Sequence, residues 1–263
     1  MSTTPLFFES VGQSIFGILH EPSAGHNLRE AVVICPPAPQ ELKKYHWAQR
    51  QMANRLQLFG YTVLRFDYFA TGDSSGRSEE FNLDICQHNI RDAIAFVKAS
   101  GLVRRVTVIA TRLGGPLALK TLESERVKRL VLIDPVLDGS AYLSRMQTMH
   151  ADMLVESPET APFQTSDACH RQLLGFSFSE ALAAQMRRLS CAVGQLKAKS
   201  VYLLQSENAA NLTALQQALT ASVDEVHIKT VGGKLKWDDL WSLQFQDFPN
   251  ELIQETLDVV RFG

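Results

Sequence analysis

The chain has 263 residues, of which 45% are hydrophobic and 21% are charged, and its formal net charge at pH 7 is −2. A chain of this size can bury a core large enough to fold without disulfides or a structural metal. The near balance of acidic and basic residues argues against the strongly basic classes of protein that bind nucleic acid or anionic membranes.

The cysteines and the apolar runs narrow the class of protein further. The four cysteines contain no C-x-x-C pair, which excludes a zinc ribbon and a thioredoxin-like redox motif. No basic segment followed by an apolar one opens the chain, and no run of about 18 apolar residues predicts a membrane span. We therefore expect a cytoplasmic protein with reduced thiols and without a metal ion or cofactor. Its expected partner is a small molecule, and its oligomeric state is left open.

Short β-branched runs alternate with helical stretches along most of the chain. This alternation predicts an α/β fold with a mostly parallel central sheet flanked by helices. Gly60 follows the first helical pattern, as expected of a residue that ends a helix. The predicted elements, in chain order, are strand 14–20, strand 31–35, helix 42–59, strand 61–68, helix 83–100, strand 103–111, helix 114–122, strand 127–134, strand 200–205, strand 225–231 and helix 249–260.

Residues 138–198 interrupt this alternation. Their large apolar residues have helical rather than strand spacing, and core packing explains each methionine at least as well as contact with a ligand. These residues are Met146, Met149, Met153, Phe163, Phe176, Phe178 and Met186. We predict a helical insertion that lies over one edge of the sheet, within a single domain that spans residues 1–263.

Two local motifs and the insertion resemble the α/β-hydrolase family. Residues 67–74 are similar to the loop D-x-x-G-x-G-x-S of that family, with Ala70 in place of the first glycine. Residues 110–115 lie at the turn between a strand and a helix where the family has its nucleophile elbow, G-x-S-x-G-G. The insertion after residue 134 is where the family commonly carries a lid. The resemblance implies an α/β-hydrolase fold with a lid at about 138–198.

Within that family, the chain is most similar to the type 2 hydrolases associated with the exosortase A system. That group has arginine at the elbow position, which matches Arg112 here, followed by Leu113 and Gly114. Residues 134–139 and 236–244 are also similar. The family resemblance implies hydrolysis of an ester or a thioester.

The residues themselves argue against the mechanism of a serine hydrolase. The guanidinium of Arg112 stays protonated and is not a nucleophile. In chain order, the acid should follow the strand that ends near residue 205, where Glu207 is the only carboxylate. The base should follow the strand that ends near residue 231, but no histidine follows His227. We therefore predict that the chain has no working Ser-His-Asp triad.

The oxyanion hole is also incomplete in the sequence. The backbone amide of Leu113 is available as one donor. The second donor should follow strand 31–35, where Pro36 and Pro37 have no N–H to donate. Ala38 could supply an amide only if the loop is shifted.

Other residues could carry chemistry or bind a ligand instead. Cys35 could act as a thiolate nucleophile beside His46, or it could be a buried strand residue. Asp67 could be catalytic, or it could hold its own loop through backbone hydrogen bonds, which we favour. The catalytic candidates are Arg112, Cys35 and Asp67, and the ligand-binding candidates are Arg112, Leu113, Ala38, Gln40 and Trp237.

The charge of Arg112 requires an anion. Its guanidinium lies at the N-terminus of a helix, where the potential is already positive. Either a carboxylate of the protein (Asp67, Glu41 or Asp239) pairs with it, or a ligand carboxylate or phosphate binds there. The first functional hypothesis is therefore a protein that acts on, or binds, an acylated or anionic small molecule above Arg112. The alternative is a non-catalytic binding or scaffold protein in a biosynthetic pathway.

Overall fold

The computed structural model describes residues 1–156, 172–206, 212–232, 237, 239 and 249–263. The strands are β1 Ser2–Ser10, β2 Gln13–Glu21, β3 Glu30–Cys35, β4 Thr62–Phe66, β5 Arg105–Thr111, β6 Val127–Ile133, β7 Gln172–Leu173, β8 Phe176–Ser177, β9 Ala198–Ser206 and β10 Glu225–Val231. Strands β7 and β8 form a separate hairpin, and the other eight form one sheet with the order β1-β2-β4-β3-β5-β6-β9-β10. Within this sheet, β2 is antiparallel to β1 and β4, and the remaining neighbours are parallel.

Helices cover both faces of the sheet. The α-helices are α1 Pro39–Leu58, α2 Leu83–Ala99, α3 Gly114–Thr121, α4 Gly139–Glu156, α5 Glu180–Arg188, α6 Thr213–Ser222 and α7 Asn250–Phe262. Because side chains alternate along a strand, β3 contributes Val32 and Ile34 to the core beneath α1 and α7, and Val33 and Cys35 to the core beneath α2 and α3. The predicted α/β fold with a mostly parallel sheet flanked by helices is confirmed. Among the helices described, none is long and apolar enough to span a bilayer.

Several elements differ from the sequence prediction. Strand β1 and helix α6 were not predicted, and α1 begins at Pro39 rather than at residue 42. Proline is favoured at the first helical position because its missing N–H would have no partner there.

The insertion at residues 138–198 is helical only in part. It contains α4 and α5, but Phe176 lies in the β7–β8 hairpin, so its predicted helical conformation is wrong. Phe163 lies outside the described residues. Met146 and Met186 are buried in the same core as α2 and α3, and the described parts of the insertion therefore pack on that side of the sheet.

Candidate functional site

The turn between β5 and α3 has the strained backbone of a nucleophile elbow. Arg112 has φ 52°, in the left-handed region, which costs a non-glycine residue about 1–2 kcal/mol. Its amide donates to the carbonyl of Ile133 (3.0 Å), and its carbonyl accepts from the amide of Gly115 (2.9 Å). A Cβ atom on Gly114 would lie 2.8 Å from the carbonyl oxygen of Pro36, so α3 can begin this close to β3 only with glycine. The turn therefore fixes the position of Arg112.

The side chain of Arg112 is enclosed by protein groups. It is 13% exposed, and its Nε donates to Oε1 of Glu41, which is 3% exposed, at 3.0 Å. The guanidinium carbon lies 5.3 Å from the ring centroid of Trp237 and 5.4 Å from that of Tyr142, within the range of cation–π contacts. Arg112 thus pairs with Glu41, one of the three carboxylates that the sequence offered. Arg112, Glu41, Tyr142, Trp237 and Asp134, which is described next, are called the Arg112 cluster below.

Asp134 connects three strand ends within this cluster. It directly follows β6, is 4% exposed and has φ 41°. One carboxylate oxygen accepts from the amide of Ser206 at the end of β9 (2.8 Å), and the other accepts from Nε1 of Trp237, which follows β10 (2.8 Å). Hydrogen bonds to a charged acceptor are among the stronger ones in proteins. Asp134 therefore ties the segment after β10 to the centre of the sheet.

The sequence motifs did not identify all of these partners. Asp134 belongs to the motif at residues 134–139 but was not a candidate site residue, and Tyr142 was not singled out. Trp237 stands after β10, where the family resemblance places the histidine of a triad. Glu207, the expected acid, lies outside the described residues.

The structure does not bring Cys35 and His46 together as a nucleophile and a base. Cys35 is completely buried in the core beneath α2 and α3, whereas His46 lies on α1, which covers the opposite face. Burial raises the pKa of the Cys35 thiol well above its usual value, which disfavours the thiolate that nucleophilic attack requires. These contacts fit the alternative interpretation of Cys35 as a buried strand residue.

Asp67 holds its own loop. Its Oδ2 accepts from the amide of Asp73 (3.1 Å), and its carbonyl accepts from the hydroxyl of Ser74 (2.7 Å). A Cβ atom on Gly72 would clash with the Asp67 carboxylate, which explains the glycine at that position. Ala70 keeps φ 62° where the family motif has glycine, so the loop conformation is retained at some cost in strain. These contacts match the role in the loop that we favoured from the sequence.

A cavity of about 460 Å³ lies between the first turns of α1, the loop at residues 70–81 and the insertion. Ala38 and Gln40 belong to its wall, as do six apolar residues of the insertion: Met146, Leu173, Phe176, Phe178, Leu182 and Met186. Arg112, Leu113 and Trp237 are not in this wall. The cavity thus lies beside the elbow rather than on Arg112 itself.

Gln40 connects the cavity to the Arg112 cluster, since its amide nitrogen donates to the hydroxyl of Tyr142 (3.1 Å). The polar part of the cavity wall also includes Lys43 and His46 on α1. Burial, followed by the positive charge of Arg65, lowers the pKa of His46. Within the described ranges, no three His, Cys, Asp or Glu side chains are arranged to hold a metal ion.

Comparisons with known proteins identify the fold. A family model described as alpha/beta hydrolase fold matches residues 30–160. The alpha/beta hydrolase GrgF from Penicillium sp. sh18 is 16% identical, with a TM-score of 0.65, and the match covers 98% of this chain and 99% of that one. An alpha-beta serine hydrolase homologue from Coxiella burnetii is 12% identical, with a TM-score of 0.60 over 99% of this chain and 96% of that one.

A third similar structure contains a bound ligand. Est1E from Butyrivibrio proteoclasticus, with ferulic acid bound, is 15% identical, with a TM-score of 0.60 over 96% of this chain and 97% of that one. No curated protein sequence matches the chain. The strand order, the elbow turn and these matches lead to one conclusion: the chain has the α/β-hydrolase fold, and residues 30–160 match the model of that family.

Proposed function

We propose that this protein binds an acylated small molecule in the cavity bordered by α4, the β7–β8 hairpin and α5, which act as its lid, and does not hydrolyse it by a serine mechanism. The observation that carries the proposal is the cavity itself. Its volume of about 460 Å³ falls in the range of small-molecule sites, and six apolar side chains of the insertion line it. A fatty-acyl chain matches that lining, since each buried methylene contributes about 0.8 kcal/mol.

The Arg112 cluster supports binding without serine chemistry. The elbow residue is an arginine whose guanidinium is already paired with Glu41. After β10, the indole of Trp237 donates its one N–H to Asp134 and has no lone pair with which to accept a proton. In this proposal, Arg112, Trp237 and Asp134 hold strand ends together and take no part in a reaction.

The proposal extends to properties that the fold leaves open. The arginine at the elbow supports membership of the exosortase A-associated type 2 hydrolases. We place the protein in the cytoplasm, as the cysteine usage predicts, with a role in a biosynthetic pathway that handles acylated intermediates.

A homologous series of neutral ligands tests the acyl site. Monoacylglycerols with 8, 10 and 12 carbons would be titrated by calorimetry, and each added pair of carbons should tighten binding about tenfold until the cavity is full. Ser78→Trp places an indole at the exposed edge of the cavity and should abolish binding. Ser144→Trp, exposed on α4 outside the cavity wall, is the matched control and should bind like the parent.

Turnover is measured on the same proteins. We expect p-nitrophenyl octanoate and octanoyl-CoA to be hydrolysed no faster with the protein than in buffer alone. We also expect that a fluorophosphonate labels no serine. Binding that is absent in the parent, or equal in the two tryptophan variants, would contradict the proposed site and favour the scaffold alternative. Stoichiometric labelling of any serine would overturn the argument against serine catalysis.

A further inference from the structure

Basic side chains extend from the cavity along one face of α1. Lys43, His46 and Arg50 follow one another at intervals of three and four residues, which places them on the same side of the helix. Lys43 and His46 belong to the cavity wall. The face therefore begins at the cavity and runs along the side of α1 that lies over β2 and β4.

Arg65 on β4 adds a buried cation to this face. It is 8% exposed, and its Nε donates to Nε2 of His20 on β2, which is 1% exposed, at 3.3 Å. In the described part of the chain, the two terminal nitrogens of Arg65 form no hydrogen bond and reach solvent. Both can therefore donate to an anion that enters from solvent. The cationic face is defined here as Lys43, His46, Arg50 and Arg65.

The charges of this face are poorly balanced by the protein. No member of the cationic face forms an ion pair with a carboxylate of the described residues. Arg50 and Arg65 both lower the pKa of His46, after the larger effect of burial, so the three groups lie close enough to interact. The negative charge of Asp67 opposes this effect on His46. An anion bound here would relieve the mutual repulsion.

We propose that the cationic face binds the phosphate-bearing headgroup of an amphiphile whose acyl chain occupies the cavity. This inference rests on the proposed function and names its ligand class. Two arginines and a lysine suit a phosphate group, which accepts several charge-assisted hydrogen bonds and matches the planar fork of a guanidinium. The chemistry is shared by a lysophospholipid and by the acyl thioester of a phosphorylated carrier.

The experiment compares ligands that share one chain and differ in the headgroup. Calorimetry would be run with 1-dodecanoylglycerol, with its 3-phosphate and with dodecanoyl-CoA, in buffer of low ionic strength. We expect the phosphate-bearing ligands to bind at least about tenfold more tightly than the neutral one, and this advantage to shrink in 0.5 M salt. The tighter of the two phosphate-bearing ligands identifies the source of the phosphate.

Two variants assign the advantage to the cationic face. Arg50→Gln, at an exposed position, should lower the affinity for both phosphate-bearing ligands about tenfold and leave 1-dodecanoylglycerol unchanged. Arg65→Gln should do the same, and Arg50→Gln keeps the test decisive if loss of the buried Arg65 impairs folding. The matched control is Arg104→Gln, at an exposed arginine just before β5, which should change nothing.

The outcomes separate this inference from the proposed function. If 1-dodecanoylglycerol binds, the phosphate adds no affinity and Arg50→Gln has no effect, the inference is overturned while the acyl site stands. If no acyl ligand binds, the proposed function fails, and pyrophosphate is then titrated alone. Pyrophosphate binding that Arg50→Gln weakens would support the anion site by itself, and no binding would overturn it.

Discussion

The ion pair between Arg112 and Glu41 makes the sharpest prediction about the elbow. The change is Arg112→Met, which keeps a long side chain for packing and accepts the same left-handed backbone at the same cost, while it removes the charge. Because the two side chains are 13% and 3% exposed, the values for buried pairs apply. Removal of one partner of such a pair typically costs about 3–5 kcal/mol of unfolding free energy.

The lost ring contacts add to this cost. Contacts of a guanidinium with aromatic rings contribute about 2 kcal/mol each where water is excluded, and both Tyr142 and Trp237 are buried. In the double variant Arg112→Met/Glu41→Leu both charges are gone, and apolar replacement of a buried pair is often neutral. We therefore expect the double variant to be clearly more stable than Arg112→Met, although the lost ring contacts keep it below the parent.

Urea unfolding at pH 7, followed by circular dichroism, measures these free energies without relying on Trp237, which lies in the cluster. A loss below about 1 kcal/mol in Arg112→Met would refute the reasoning, because it would mean that the guanidinium does not stabilise the folded state. Arg112 would then be available to an acidic ligand, the alternative that the sequence left open. If the double variant is no more stable than Arg112→Met, Glu41 stabilises the fold through contacts with other groups.

Three further predictions concern the elbow, the cluster and the response to acid. Gly114→Ala should cost about 1–3 kcal/mol by urea unfolding, because its Cβ would meet a backbone carbonyl at 2.8 Å, whereas Gly25→Ala, with nothing within 4 Å, should stay within about 0.5 kcal/mol. Trp237→Phe should cost about 1–3 kcal/mol in the same assay, since it leaves one oxygen of Asp134 without its indole donor; an unchanged midpoint would contradict that bond. Burial lowers the pKa of His20 from 6.5 to about 4, so the unfolded state takes up a proton on this imidazole before the folded state does. The free energy of unfolding should therefore fall as the pH decreases from 6.5 toward 4, and the urea midpoint of His20→Gln should depend less on pH over that range.

The parts of the fold that were predictable are those with a strong local pattern. Strand β3 is completely buried, so its unbroken apolar run identified it, and α2 has a regular apolar stripe. Strand β1 was missed because it lies at the edge of the sheet with most residues exposed and gives no continuous apolar signal. The β7–β8 hairpin was missed because each strand has only two residues, too few for a period to be recognised.

The candidate site likewise contains one part that the sequence predicted and others that it did not. The strained turn at Arg112 could be anticipated because its requirement for glycines lies within a few consecutive residues. The partner of Arg112 could not, since Glu41 is 71 positions away along the chain and three carboxylates were equally acceptable. The hydrogen bond from Trp237 to Asp134 spans 103 positions and likewise depends on how the strand ends meet.

The sequence by itself determined that the chain forms a mostly parallel α/β sheet with an arginine at the elbow, because side-chain periodicity and glycine placement act over short distances. Only the tertiary structure decided what surrounds that arginine and where the cavity lies. The parallel strands bring distant segments to one end of the sheet, and the packing of α1 on the face of the sheet places Glu41 of its first turn beside Arg112. The same packing places Lys43 and His46 at the cavity and close to Arg65. Contacts between segments so far apart in the chain are set by the geometry of the whole sheet, which no local pattern encodes.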